Sequence, residues 1–472
     1  MRRITCILLV CCLLPLVAAA QLRLPSVIGD GMVLQRNSSV RLWGKAAPSS
    51  QVRIAAGWAA EPVEASASHD GDWSAEIPTT EAGGPYTIEI TSGTEQHTLQ
   101  NVLLGEVWIC AGQSNMSMPV RGFESQPIAG SLEAIVSSPC YPIRMYTADR
   151  TVSEHKEFNV KGRWMEAGVA TTGAFSAVGF FFARTLCQAL NVPVGMINLS
   201  WGGSTAQAWS SQELLMQFPE IDTTMNMQSK SPQRIPSALH NAMFHPVTGY
   251  GVRGVIWYQG ESNGYFPEQY ATLFPGLIAD WRRFFGNDSL PFIFAQLPSY
   301  RVPGDKSGER WARLRQSQLN TARTVPHTAL VVTADCGDTE NIHPKNKYPV
   351  GMRFAAAAES LVYGSKEPGT LTLPGPATVE GRRVEIPVGG IRSGLALRGG
   401  ESGFELRDTE GNWHEADLRI RGNTLELSSA EVPAPTGVRY AWGNVNTLTV
   451  YHKSGLPLPP FTFDTEPKTT AR

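Results

Sequence analysis

Between residues 101 and 365 the chain alternates between short apolar runs of strand length and longer segments with helical apolar spacing. The strand candidates are Glu106 to Ala111, Val192 to Asn198, Gly254 to Tyr258, Pro291 to Ala295 and Ala329 to Thr333. Helical patterns run over Ala177 to Leu190, Pro267 to Phe285, Glu309 to Ala322 and Gly351 to Tyr363. In the second of these, Tyr270, Leu273, Leu277 and Trp281 recur at three- and four-residue steps. Strands separated by helical crossovers cannot pair as hairpins, so this stretch predicts an α/β fold with a mostly parallel, doubly wound sheet.

The flanks have a different texture. Residues 21–100 carry short alternating runs such as Val40-Arg41-Leu42-Trp43, cut by turn clusters such as Asp70-Gly71-Asp72, which predicts a sandwich-like β region. Residues 366–472 return to short strands punctuated by Pro374-Gly375-Pro376 and Gly399-Gly400, a second β-rich region. With 472 residues, three such parts fit the usual size of about 150 residues per domain.

The first twenty residues read as an export leader. Arg2 and Arg3 precede an apolar run from Ile7 to Ala20, shorter than the roughly 20 residues that span a bilayer. The run ends in Ala18-Ala19-Ala20, a small-residue cleavage pattern. The expectation is a signal peptide over 1–20 and an exported mature chain, periplasmic or secreted, with no membrane span after cleavage. Cys6, Cys11 and Cys12 fall in the leader, and the remaining Cys110, Cys140, Cys187 and Cys336 form no CxxC pair. Zinc and redox motifs therefore have no support. The net charge of −2 gives none to a nucleic-acid partner.

In an open α/β sheet, ligands bind beyond the carboxyl ends of the strands. Those positions hold Gly112-Gln113-Ser114-Asn115-Met116, Trp201-Gly202-Gly203-Ser204-Thr205 and Gln259-Gly260-Glu261-Ser262-Asn263, then Asp335, Asp338, Glu340 and His343. A serine after a strand is more often a turn residue than a nucleophile, and a histidine before proline is more often a loop residue than a base. Together, at one sheet edge, they have the parts of acyl transfer. Ser114 is the candidate nucleophile and His343 the base that takes its proton. Gly203 permits close approach to an oxyanion, with the Ser114 amide and a side-chain amide from Gln259 or Asn263.

Other chemistries lack their motifs. Met116 breaks any GxSxG elbow, no HExxH or GxxxxGK[ST] occurs, and His240 with His245 is spaced as a structural pair rather than a metal pair. No metal or cofactor is called for.

The loops resemble those of the sialate O-acetylesterase family within the SGNH/GDSL hydrolase superfamily. The resemblance is carried by AGQSNM at 111–116, NLSWGGSTAQAW at 198–209, RGVIWYQGESN at 253–263 and IHPKNKYPVG at 342–351. LPSVIGDGMVLQR at 24–36, RYAWGN at 439–444 and LPLPPF at 456–461 extend it over nearly the whole mature chain. It implies a flavodoxin-like SGNH catalytic domain between β-rich parts, and metal-free hydrolysis of O-acetyl esters on sugars, typically sialic acids. Ser114 then matches the nucleophile, His343 the base and Gly203 the oxyanion glycine. The superfamily acid stands three residues before the histidine. Here that position is Glu340, with Asp338 as the alternative and a Ser-His dyad using a backbone carbonyl as a third.

The motifs report the acyl half of the substrate, so an acetylxylan-type esterase shares every one of them. A carbohydrate-binding protein with a decayed site is the rival from another class. A sialic acid pocket requires a cation for the sugar carboxylate, with Arg315 and Arg253 as candidates.

Overall fold

The computed structural model describes residues 22–365, 373–389 and 394–468. The leader expected at 1–20, with its three cysteines, lies outside them.

The central strand is Glu95–Gly112, whose segment Val107 to Ala111 is fully buried. That uninterrupted apolar run is what a strand covered on both faces requires. Val194–Ser200 pairs with it in parallel on one side and Gly254–Tyr258 on the other. Phe292–Ala295 and Thr328–Val331 continue the parallel sheet outward. Beyond Val194–Ser200 lie a parallel strand, Ile143–Thr147, and an antiparallel one, Trp164–Glu166. The α/β sheet is thus mixed. Ser200, Gly112 and Tyr258 stand in register, so three strands end level at one edge.

The helices close where their sequences say. In Ala177–Leu190 the Ser176 hydroxyl accepts from the Gly179 amide at 3.0 Å, and Asn191 ends the helix in the left-handed conformation. Pro267–Phe285 starts on Pro267, ends on left-handed Gly286, and turns Tyr270, Leu273, Phe274, Leu277, Ile278 and Trp281 into the core.

In the amino-terminal region, Ser39–Lys45 and Asp72–Pro78 pair with alternating buried and exposed residues, the pattern of strands with one face in water. Gly83–Ser92 and Val33–Gln35 pair directly with Glu95–Gly112. That long strand crosses residue 100 and joins the amino-terminal strands to the parallel sheet. Near the carboxyl terminus, strands between Ala377–Glu380 and Phe461–Pro467 form a mostly antiparallel eight-stranded sheet. Among the described residues no helix is long and apolar enough to cross a membrane. The cysteines within them are unpaired, and Cys110 and Cys187 are buried.

Candidate active site

The central strand ends at Gly112, where φ is +133° and a Cβ would lie 2.1 Å from the Tyr258 carbonyl oxygen. Only glycine permits this reversal. It sends the chain into Gln113 and the short helical turn Ser114–Ser117, leaving Ser114 half-buried at the turn's first position. The two residues flanking Ser114 face inward and fasten the neighbouring loops. Gln113 Oε1 accepts from the Ser262 amide at 3.1 Å and from Gln259 Nε2 at 3.2 Å, so the loop after Gly254–Tyr258 is pinned to the Ser114 turn. Asn115 is fully buried and uses its whole amide. Nδ2 donates to Glu261 Oε1 at 2.6 Å and to the Ile342 carbonyl at 3.0 Å, and Oδ1 accepts from Lys347 Nζ.

The Ile342 bond seats His343 beside the Ser114 turn. The helix Tyr348–Val362 then packs on Ala177–Leu190 so closely that a Cβ on Gly351 would lie 2.5 Å from Phe181 Cβ. The His343 ring meets Phe123 edge-to-face at 5.3 Å, and its Nδ1 lies 3.0 Å from Gln126 Oε1. A proton on Nδ1 satisfies that carbonyl and leaves Nε2 with a free lone pair. Burial, and next the Lys347 charge, lower the His343 pKa to about 4. The imidazole is therefore neutral, as a general base must be. Ser114 Oγ has no hydrogen bond among the described residues, and such contacts commonly tighten only with substrate bound.

Gly202 and Gly203 border the serine on the other side. A Cβ on Gly202 would stand 3.4 Å from Ser114 Cβ, and Gly203 takes φ +75°. The Trp201 amide donates to the Gly112 carbonyl at 3.1 Å, which fixes this loop against the Ser114 turn.

The two candidate amides differ. Gln259 is fully buried, and its two amide hydrogens face Gln113 Oε1, the Ser204 carbonyl at 3.2 Å and Asn263 Oδ1 at 2.7 Å. It has no donor left for a ligand. Asn263 Oδ1 also accepts from the Ala206 amide at 2.9 Å, while Nδ2 donates to Gln207 Oε1 at 2.9 Å and keeps one N–H.

Glu340, expected to orient His343, does not reach it. Its carboxylate pairs with Arg301 at 2.9 Å, both side chains standing about 70% exposed in solvent. Asp338 spends Oδ1 on the amides of Glu340 and Asn341, at 3.0 and 3.1 Å, closing its own turn. The segment from 337 to 347 is irregular, so a spacing of three residues sets no common face. Gln126 holds the ring nitrogen instead. Sequence reasoning missed it, as it missed Gln113, Asn115 and Lys347. The signal for these last three was their position inside the quoted motifs, one to four residues from each candidate.

The cation candidates are structural. Arg315 is fully buried and donates to the carbonyls of Leu297, Pro298, Gly443 and Asn444 at 2.6–2.9 Å. Arg253 pairs with Glu106 at 2.9 Å, one residue before Gly254–Tyr258 begins, at the opposite end of the sheet from Ser114.

Beneath the serine, Glu261 and Lys347 are both buried. Burial raises the Glu261 carboxyl, whose Oε2 has no hydrogen-bond partner. Burial likewise lowers the Lys347 ammonium to about 7, against the attraction of Glu261. Asn115 stands between them as a shared ligand.

Comparison with known proteins places the chain in a family. Residues 104–360 match the family model "Carbohydrate esterase, sialic acid-specific acetylesterase". The sialate O-acetylesterase of Mus musculus is 29% identical, over 93% of this chain and 94% of that protein. The human sialate O-acetylesterase is 30% identical, over 93% and 92% respectively. The crystal structure of a carbohydrate acetylesterase from Xanthomonas citri superposes with a TM-score of 0.86 at 31% identity, over 94% of this chain and all of that one.

Proposed function

Because this chain belongs to the carbohydrate esterase family of sialic acid-specific acetylesterases, and is thereby a carboxylic ester hydrolase, we propose that it removes O-acetyl groups from sialic acids through an acyl-enzyme on Ser114. The observation that carries this reading is Asn115. It ties the Ser114 turn to the Ile342 carbonyl, and so to a His343 whose free Nε2 belongs to a neutral ring.

Ser114 Oγ attacks the acetyl carbonyl while His343 Nε2 takes its proton. The oxyanion is held by the amides of Ser114 and Gly203 and by the remaining N–H of Asn263 Nδ2. Each such donor is worth about 100- to 1000-fold in rate. The tetrahedral adduct collapses with loss of the sugar oxygen, which takes the proton back from His343. Water deprotonated by His343 then attacks the acetyl-serine, and acetate leaves. Gln126 keeps the tautomer in place of an acid. No step draws on a metal or cofactor. Counted in chain order from Glu95–Gly112, and leaving aside the outer pair Ile143–Thr147 and Trp164–Glu166, the parallel strands follow the order 2-1-3-4-5. This supports the flavodoxin-like SGNH reading. Export on the 1–20 leader completes the proposal.

The test is acetate release by the purified mature chain from O-acetylated sialic acid and, in parallel, from acetylated xylan. Ser114→Ala is expected to lower turnover by about four orders of magnitude or more while melting as the wild type does. Near-full activity of that variant sinks the mechanism, and turnover of xylan alone replaces the sugar.

A further inference from the structure

A sialic acid differs from a neutral acetylated sugar by a carboxylate, ionised at any pH where His343 is neutral. With Arg315 and Arg253 committed elsewhere, the cation for it has to stand at the edge where the oxyanion forms. Arg234 stands there. It ends the short turn Pro232–Arg234, is exposed, and donates from Nε to the Gly203 carbonyl at 3.1 Å. No carboxylate lies within 4.0 Å of it among the described residues, and its other guanidinium hydrogens make no hydrogen bond there.

Gln233 points the same way, for a Cβ on Gly203 would lie 3.2 Å from its Nε2. The loop is held in place from below. The Ser237 amide donates to the Gln207 carbonyl at 3.0 Å, and the Gln207 side chain is the partner of Asn263. An acetyl group seated on the Gly203 amide puts its sugar ring against the groups bordering Gly203. Those groups are a planar fork of donors without an acid and an amide, which is the chemistry that reads a carboxylate.

We propose that Arg234, assisted by Gln233, binds the carboxylate of the substrate and makes this site selective for O-acetylated sugar acids over neutral acetylated sugars. This rests on the Ser114–Gly203 reading of the site and adds a specificity residue to it.

The experiment measures acetate release from an O-acetylated sialic acid and from its carboxyl methyl ester, with p-nitrophenyl acetate alongside. It uses wild type, Arg234→Ala and Arg234→Lys. Losing the Nε bond to Gly203 affects all esters alike, so the acid-to-methyl-ester ratio of kcat/KM is the readout. The wild-type ratio is expected to be about 10 or more, carried by KM, as befits a charge-assisted hydrogen bond. It is expected to fall to about 1 in Arg234→Ala and to persist in part in Arg234→Lys. A wild-type ratio near 1, or one that Arg234→Ala leaves intact, overturns the assignment while turnover itself upholds the esterase. Turnover of p-nitrophenyl acetate but of neither sialic substrate also overturns it. Silence on all three esters by wild type overturns the esterase reading as well.

Discussion

A glutamine carbonyl fixes an imidazole tautomer as a carboxylate does, but it brings no charge to the imidazolium that the proposed mechanism forms when Ser114 loses its proton. Gln126 therefore acts on geometry, and its removal is expected to lower kcat about 10- to 100-fold without moving KM. Gln126→Glu adds the missing charge and is expected to raise the pH at which His343 protonates. Glu340→Gln is expected to stay within about twofold of wild type, because its carboxylate faces Arg301 in solvent. Equal losses in Gln126→Ala and Glu340→Gln would overturn this division. The pH profile follows from the same residue. In the proposed mechanism His343 must be neutral to accept a proton, and burial, then Lys347, hold its pKa at about 4 rather than the ordinary 6.5. The acid limb of kcat/KM is expected near pH 4, so activity survives the fall through pH 6.5. Lys347→Met removes a like charge, and its acid limb is expected to move upward. A profile with p-nitrophenyl acetate, which does not itself titrate, checks both.

At the level of elements, the site is a set of strand ends, and Gly112 is the hinge of the set. A side chain there would meet the Tyr258 carbonyl at 2.1 Å in a backbone conformation that only glycine adopts freely. Gly112→Ala is expected to destabilise the fold by more than about 3 kcal/mol, read as a lowered denaturant midpoint or loss of soluble protein. The strands around this hinge were legible because burial on both faces leaves an uninterrupted apolar run. The helix Ala177–Leu190 was legible to the residue because Ser176 and Asn191 cap it. Ile143–Thr147 was not. It is five residues long, and Arg144 interrupts it to pair with Glu166 at 2.9 Å. The site divides in the same way. Ser114, Gly203 and Asn263, the residues of the proposed site, follow apolar strands, so their placement at the sheet edge could be read from the sequence. Gln126 lies 217 residues from His343 along the chain, in a loop without periodicity, and only the folded structure brings the two together.

Across the whole molecule, the β-rich flanks are fastened to the parallel sheet by buried polar groups. Residues 443–446 accept Arg315 on two carbonyls, and Asn444 Oδ1 receives the Trp311 amide at 2.8 Å, which locks the helix Arg310–Thr324. At the other end, Glu106 on the central strand is fully buried. It is bonded to Arg36 at 2.7 Å, Arg253 at 2.9 Å, Gln35 at 3.1 Å and Tyr363 at 2.8 Å. Burial alone would raise this carboxyl, but Arg253 and Arg36 outweigh it and the pKa is lowered. A carboxyl lowered on folding adds stability above its unfolded pKa, and that stability is lost as pH falls through the folded value. Arg36→Met removes one of the two cations and leaves the charge buried. The cost is expected to be about 2 kcal/mol at pH 7, less than for a fully broken buried pair because Arg253 remains. As pH drops below the carboxylate range, Glu106 protonates more readily in the variant than in the wild type. The two proteins should then converge in stability. Thermal melts of both at pH 7 and at pH 3.5 decide it. A gap that persists unchanged at low pH would mean that Arg36 contributes packing rather than charge.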